Sequence, residues 1–144
     1  MIMAEIPRAS SSLSWPPPKS LPPSFSARIR NRARLKSLDT LLEPAISMGA
    51  RMRGLMFRKK CASLLFTFDW TDKHSIHSFF VAFPFDAIYL DERGRVVDVF
   101  ESVPPFTPLL TPRSPARYLL ELPPKSASGL AVRIGDEIEI SMKT

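Results

Sequence analysis

From residue 63 onward apolar and polar residues alternate, and this period of two constrains the chain more than any other feature. In "SLLFTFDW" Leu64, Phe66, Phe68 and Trp70 fall on one face of an extended strand. "FDAIYL" and "RVVDVF" flank "DERG", where Gly94 can take positive φ and close a hairpin loop. A proline-studded connection, "VPPFTPLLTPRSP", leads to "ARYLLELP", and "RIGDEIEISM" reads as a turn at Gly135 and Asp136 followed by a final strand. The strand–helix alternation of a parallel sheet is absent. The pattern predicts a mainly β (α+β) protein, a small antiparallel sheet curled into a barrel-like shape with one or two short helices.

The front of the chain behaves differently. Residues 1–25 are rich in Ser and Pro and bury too little apolar surface to offset their ordering entropy, so they are expected to form a disordered tail. A single β-rich domain then spans residues 26–144. In "SARIRNRARLKS" Arg28, Arg30, Arg32 and Arg34 alternate with Ala27, Ile29, Ala33 and Leu35, which would place four guanidinium groups on one face of a strand. From Ile46 to Lys60 the residues Met48, Met52, Leu55 and Met56 recur at helical spacing opposite Arg51, Arg58 and Lys59, predicting a short helix. Gly54 inside it costs about 1 kcal/mol relative to alanine, so a close contact, a bend or a helix end is expected there.

Composition excludes several classes. No apolar run approaches the roughly 20 residues of a membrane-spanning helix, and Pro16, Pro17 and Pro18 stand where a secretory signal would need its apolar core. Cys61 is the sole cysteine, which rules out an internal disulfide and a multi-cysteine metal site. These features point to a cytoplasmic protein. The net charge of +6 is lopsided, because residues 1–62 carry about +9 and residues 63–144 about −3. Such a basic half attracts polyanions without specificity.

Several segments together resemble domain of unknown function 192, also called uncharacterised protein family 0127. "IRNRARLKSLDTLLEPA" is similar to the opening strand pair of that family, and "ARMRGLMFRK" to its Arg-Gly-Leu-Met element. "IHSFFVAFPFDAIYLDERGRVV" resembles its His-Thr-Phe-Phe-Met-x-Phe-Pro-Ile-Asp run, and "YLLELPPKSASGLAVRIGDEIEI" its Leu-Glu-Leu-Pro and closing Gly-Asp segments. The chain departs from the pattern at Val81, where methionine is usual, at Phe106, which stands in for tryptophan, and at Lys125, where glycine is common. The resemblance implies a compact, mostly β domain and brings no reaction, ligand or cofactor.

Two polar residues interrupt the apolar run from Ile76 to Leu90. His77 and Asp86 lie nine positions apart, around a bend at Pro84. A His–Asp pair can orient an imidazole for proton transfer, with Cys61 as a nucleophile, which defines a hydrolase or transferase reading. A carboxylate beside a proline bend is more often held by backbone N–H groups or an arginine, and Arg58 is the expected partner. His74 and His77 are three apart, point to opposite faces of a strand and lack further ligands, so no metal site and no cofactor are expected. Glu121 shares a face with Arg117 and Leu119, and is expected to be solvated or salt-bridged across the sheet. Gly54, Leu55, Met56, Pro84, Glu121, Gly135 and Asp136 are read as structural. The leading expectation is a small non-catalytic β domain that binds a small molecule or a protein partner through His77, Phe79, Phe80, Asp86 and Arg58. The alternative is nucleic-acid binding through Arg28, Arg30, Arg32 and Arg34.

Overall fold

The computed structural model describes residues 10–12, 17, 21–45 and 54–143. Among these, eight strands form one sheet: β1 Ser10–Ser12, β2 Phe25–Asn31, β3 Lys36–Ala45, β4 Ser63–Asp72, β5 Phe85–Leu90, β6 Val96–Val103, β7 Ala116–Leu122 and β8 Ile138–Lys143. Their spatial order is β1-β8-β2-β3-β4-β7-β5-β6. The protein is mainly β, as the alternation predicts, but the sheet is mixed, because β3 and β4 run parallel while every other pair is antiparallel.

The sheet curls into a half-barrel. At one end β6 and β8 meet through the Arg95–Glu137 bridge, where Val96 donates to the Asp136 carbonyl and Ile138 to the Gly94 carbonyl, both at 2.9 Å. No further pairing of β6 with β8 is seen among the described residues, so the barrel stays open beyond that point. Inside it, Phe25, Ile29, Leu42, Leu65, Ile88, Tyr118, Leu120 and Ile140 form one core. A second core lies on the other face of the central strands, where Leu64, Phe66, Phe85, Ala87, Tyr89 and Leu119 pack under Leu55 and Val81 from the covering segments. Strand β5 is consequently buried at all six positions.

The structure departs from the sequence expectation in three places. First, the alternation through Arg34 does not continue as one strand. Asn31 is buried, donates through Nδ2 to the Leu130 carbonyl and to Asp136 Oδ2 at 2.9 Å each, and accepts from the Ala33 N–H. That capture starts a turn over residues 32–35, which puts Arg32 and Arg34 in the β2–β3 hairpin loop instead of the strand. Second, the expected helix lies partly outside the described residues. Its described part, residues 54–60, holds no helix, and Gly54–Phe57 is a turn with positive φ at Gly54 and Phe57. Third, Ser10–Ser12, inside the segment expected to be disordered, pairs with Lys143, Met142 and Ser141 of β8.

The described helix, α1, is the single turn Ser126–Gly129 between β7 and β8. Lys125 precedes it at φ 72°, a left-handed conformation that glycine adopts without strain. The resemblance to a family with glycine at this place therefore has a backbone cause. Gly135 takes φ 93° in the turn before β8, where an added Cβ would meet nothing within 4 Å. The two sites predict opposite signs. Lys125→Gly should stabilise by up to about 1 kcal/mol, and Gly135→Ala should destabilise by about 1 kcal/mol through strain alone, as read by chemical denaturation.

Candidate functional site

Asp86 is fully buried at the second position of β5. Its Oδ1 accepts the Ser102 N–H at 2.8 Å, and its Oδ2 accepts the Ala127 N–H at 2.9 Å. One carboxylate thus fastens β6 and the first turn of α1 to β5. The expectation of backbone N–H partners is met, whereas the expected Arg58 partner is not.

Arg58 engages Glu43 instead, with both terminal nitrogens on both carboxylate oxygens at 2.9 and 3.2 Å. Its Nε donates to the Gly54 carbonyl at 3.0 Å. Each of the three guanidinium nitrogens thus donates one bond, tying Gly54 of the covering segment to Glu43 of β3. The parallel pairing of β3 with β4 sets Glu43 opposite Leu64 and so brings this acid, instead of Asp86, beside the segment that holds Arg58.

A cavity of about 140 Å³ opens under that segment. Leu55, Met56, Phe66, Val81 and Phe85 supply apolar walls, Gly54, Ser75, Ile76 and His77 complete the lining, and Glu121 reaches in from β7. Glu121 is only 6% exposed. Its backbone pairs with Leu64 of β4 and Ala87 of β5, so its side chain leaves the sheet on the face of the second core. The solvated position expected from its neighbours Arg117 and Leu119 is not what the fold provides. Among the described residues no donor hydrogen-bonds the carboxyl, and desolvation pushes it up from the ordinary 4.5 to about 8, with the Arg58 charge opposing this.

His77 stands exposed at the cavity mouth, where its Nδ1 accepts the Phe79 N–H at 3.2 Å. Asp86 does not line the cavity, so the two residues form no catalytic pair. Cys61 points its thiol at the Ala62 carbonyl, and burial together with the Glu121 and Asp86 charges pushes it up to about 11. The thiolate that a nucleophile requires is disfavoured there. His74 stacks on Phe68 at 3.9 Å and reaches the Trp70 carbonyl at 2.7 Å, on a different segment of the surface. Among the described residues no cluster of three His, Cys, Asp or Glu stands close enough to hold a metal ion.

Aromatic residues rim the cavity. Phe57 and Phe80, 73% and 59% exposed, stack with ring centroids 5.1 Å apart, and the Phe57 N–H donates to the Phe80 carbonyl at 2.9 Å. Each follows or precedes a lining residue, Met56 and Val81 respectively. Both adopt φ 62°, a left-handed conformation costing of order 1–3 kcal/mol for a bulky side chain. Phe106, also exposed, repeats the conformation at φ 63° and donates its N–H to the Ser78 carbonyl at 3.0 Å.

The basic row is largely matched by acids. Arg28 grips Asp39 at 2.8 and 3.1 Å, and Lys143 joins the same carboxylate at 2.9 Å, which holds Asp39 well below the usual carboxylate range. Arg32 lies 3.5 Å from Glu137 and 3.9 Å from Glu139, while Arg34 lies 3.4 Å from Asp136. Arg51 and Arg53 lie outside the described residues.

Residues 30–140 match the family model of domain of unknown function 192, described as an uncharacterised conserved group. The chain belongs to this family. It is 33% identical over 113 residues to the UPF0127 protein PH1112 of Pyrococcus horikoshii, covering 77% of this chain and 96% of the relative. It is also 33% identical over 91 residues to the UPF0127 protein PF1050 of Pyrococcus furiosus, covering 62% and 77%. A solved protein of unknown function from Novosphingobium aromaticivorans superposes with TM-score 0.72 at 19% identity, covering 90% of this chain and 93% of its own. A proposed transcription regulator of Sinorhizobium meliloti superposes with the same score at 23% identity, covering 89% and 96%. At those identities the two structures share the fold alone. The family has no assigned function.

The family elements gather around one site. Gly54, Leu55 and Met56 from "RGLM", His77 and Val81 from the central run, and Glu121 from "LEL" all line the same cavity. Phe57, Phe66, Phe85 and Ser75 escaped the sequence reading as site residues, being indistinguishable there from core or loop. A usable signal existed in "RYLLEL", where Tyr118, Leu119, Leu120 and Leu122 are apolar at both parities. Such a run marks a strand buried on both faces, and Glu121 with it.

Two predictions follow from this geometry. Asp86→Ala strands two buried N–H groups and should destabilise by at least about 2 kcal/mol in urea unfolding. For Glu121 the folded state retains a proton that the unfolded chain releases above pH 4.5, so its contribution is greatest below 4.5 and falls until about pH 8. Relative to Glu121→Gln, the wild type should lose about 1.4 kcal/mol per pH unit at the steepest part of that window, and the two curves should run parallel outside it.

Proposed function

We propose that this protein is a non-catalytic binding domain whose ligand is a small molecule seated in the Glu121 cavity. The observation that carries the reading is a buried carboxyl, that of Glu121, which lines the recess and receives no hydrogen bond from the described residues. Burying such a group costs of order 1–3 kcal/mol, which a fold retains where something other than the fold uses it. Phe57 and Phe80, in left-handed conformations, adjoin the lining residues Met56 and Val81, and strain of that kind concentrates at functional sites. A volume of about 140 Å³ suits a ligand of a few heavy atoms, and Ser75, His77 and Glu121 supply polar groups to the lining.

Support for the other readings is thinner. A hydrolase would need an oriented base and an activated nucleophile, whereas Asp86 is consumed by backbone N–H groups and Cys61 holds its proton. Nucleic-acid binding would need free guanidinium groups in a row, whereas Arg28, Arg32 and Arg34 face acids and two of the three leave the strand. A cytoplasmic location belongs to this same reading. No helix among the described residues is long and apolar enough to cross a membrane.

A fragment library screened by ¹⁵N–¹H correlation spectra tests the proposal. Binders should move the amides of Leu55, Val81 and Glu121 together, and Val81→Trp, which fills the recess, should abolish those shifts while the remaining spectrum stays folded. A library that leaves these amides unmoved, or shifts that persist in Val81→Trp, would sink it.

A further inference from the structure

Four of the nine large apolar side chains that stand exposed among the described residues, Phe57, Phe79, Phe80 and Phe106, come from three connecting segments. Backbone hydrogen bonds knot those segments together. Phe57 donates its N–H to the Phe80 carbonyl at 2.9 Å, Phe106 donates to the Ser78 carbonyl at 3.0 Å, and Ser78 donates to the Thr107 carbonyl at 2.9 Å. The Ser78 side chain completes the knot from a buried position, its hydroxyl donating to the Pro104 carbonyl and accepting the Thr107 N–H, both at 2.6 Å. The four rings therefore belong to one tied region of the surface.

We propose that this region is a peripheral docking surface for a bilayer that contains anionic lipid. Phe57, Phe80 and Phe106 enter the headgroup layer, and Lys59 and Lys60 meet the lipid phosphates. The proposal goes beyond the binding reading above and does not depend on what occupies the Glu121 cavity.

The backbone supplies the first support. Phe57, Phe80 and Phe106 take φ 62°, 62° and 63°, a conformation that glycine or asparagine adopts more readily than a bulky residue. They are also 73%, 59% and 67% exposed, so the fold recovers little burial in return. Packing within the chain therefore does not account for phenylalanine at three such positions. A contact with something outside the chain does, and exposed apolar groups gathered in one place mark surfaces of that kind.

Charge decides the kind of contact. Residues 54–60, 76–83 and 104–110 contain no Asp or Glu, and their basic residues are Arg58, Lys59 and Lys60, with His77 beside them. Arg58 is spent on Glu43, whereas Lys59 and Lys60 follow Phe57 by two and three positions and stand exposed. The flanking acids are Glu101, exposed near the end of β6, and Asp86, buried in β5; Glu121 lies buried in the cavity. Protein interfaces enrich aromatic residues but deplete lysine, while segments that settle into a bilayer surface combine Phe or Leu with Lys. Phenylalanine and lysine together in acid-free loops thus favour lipid over a protein partner, since an anionic bilayer offers an apolar layer and a negative one at the same face.

Co-sedimentation of the full chain with extruded vesicles tests the proposal, using phosphatidylcholine alone and an equal mixture of phosphatidylcholine and phosphatidylglycerol. The protein should partition onto the mixed vesicles and much less onto phosphatidylcholine. Phe57→Asn/Phe80→Asn keeps the charge and eases the backbone, and it should lower the partition by about tenfold per ring. Lys59→Ser/Lys60→Ser should lower it by about fivefold per lysine. Arg93→Ser/Arg95→Ser removes the same charge from the hairpin at the other end of β5 and should leave the partition nearly unchanged. Should the aromatic variant fail to fold, the wild type is read instead: doxyl-labelled phosphatidylcholine in bicelles of the same mixture should broaden the amides of Phe57, Phe80 and Phe106 before those of β2 and β8. No binding to the mixed vesicles, equal binding to both kinds, binding that survives loss of the two rings, an arginine control that falls as far as the lysine variant, or uniform broadening each overturns the proposal. A concentration-dependent dimer that Phe57→Asn/Phe80→Asn abolishes in sedimentation equilibrium overturns it as well, by assigning the surface to a second copy of the chain.

Discussion

Strands β4, β7 and β5 carry apolar side chains on both faces, and neither face can be left to water. The inner face is satisfied by curling the sheet so that β2, β3 and β8 close over it. Among the described residues the outer face has no second sheet to pack against. It is covered by connecting segments, those around residues 54–62 and 73–84, and irregular segments seal a surface less completely than a regular element does. The cavity, its aromatic rim and the burial of Glu121 all descend from that requirement.

Covering a sheet with loops raises a second difficulty, since loops bring backbone polar groups into apolar surroundings. The protein answers with side chains that accept or donate to several backbone groups at once. Asp86 joins β6 and α1 to β5, Asn31 joins the β2–β3 turn to the segment before β8, and Arg58 ties Gly54 to Glu43. Glu121 stands apart from this group by having no such work among the described residues, and for that reason its carboxyl carries the functional argument.

Much of the outline was legible in the residues. The β5–β6 hairpin with Gly94 in its loop, the Gly135–Asp136 turn, strand β7 and the final strand all follow from period-two alternation and turn chemistry, which are local properties. The site was half legible. His77, Gly54, Leu55 and Met56 were singled out and line the cavity, but Glu121 was read as solvated and Arg58 was given the wrong acid. In both cases the deciding contact is remote in sequence: Glu121 is buried by the segment holding Leu55 and Val81, and Arg58 meets Glu43 only because β3 pairs in parallel with β4.

What this sequence determined alone was the class of fold, because strand periodicity, turn residues and the family pattern each depend on neighbours along the chain. What the tertiary structure decided was which polar groups are left over. Satisfaction of a buried carboxylate depends on donors delivered by other strands and loops, and nothing within a few residues of Asp86 or Glu121 reveals that the first receives two N–H groups and the second none from the described residues.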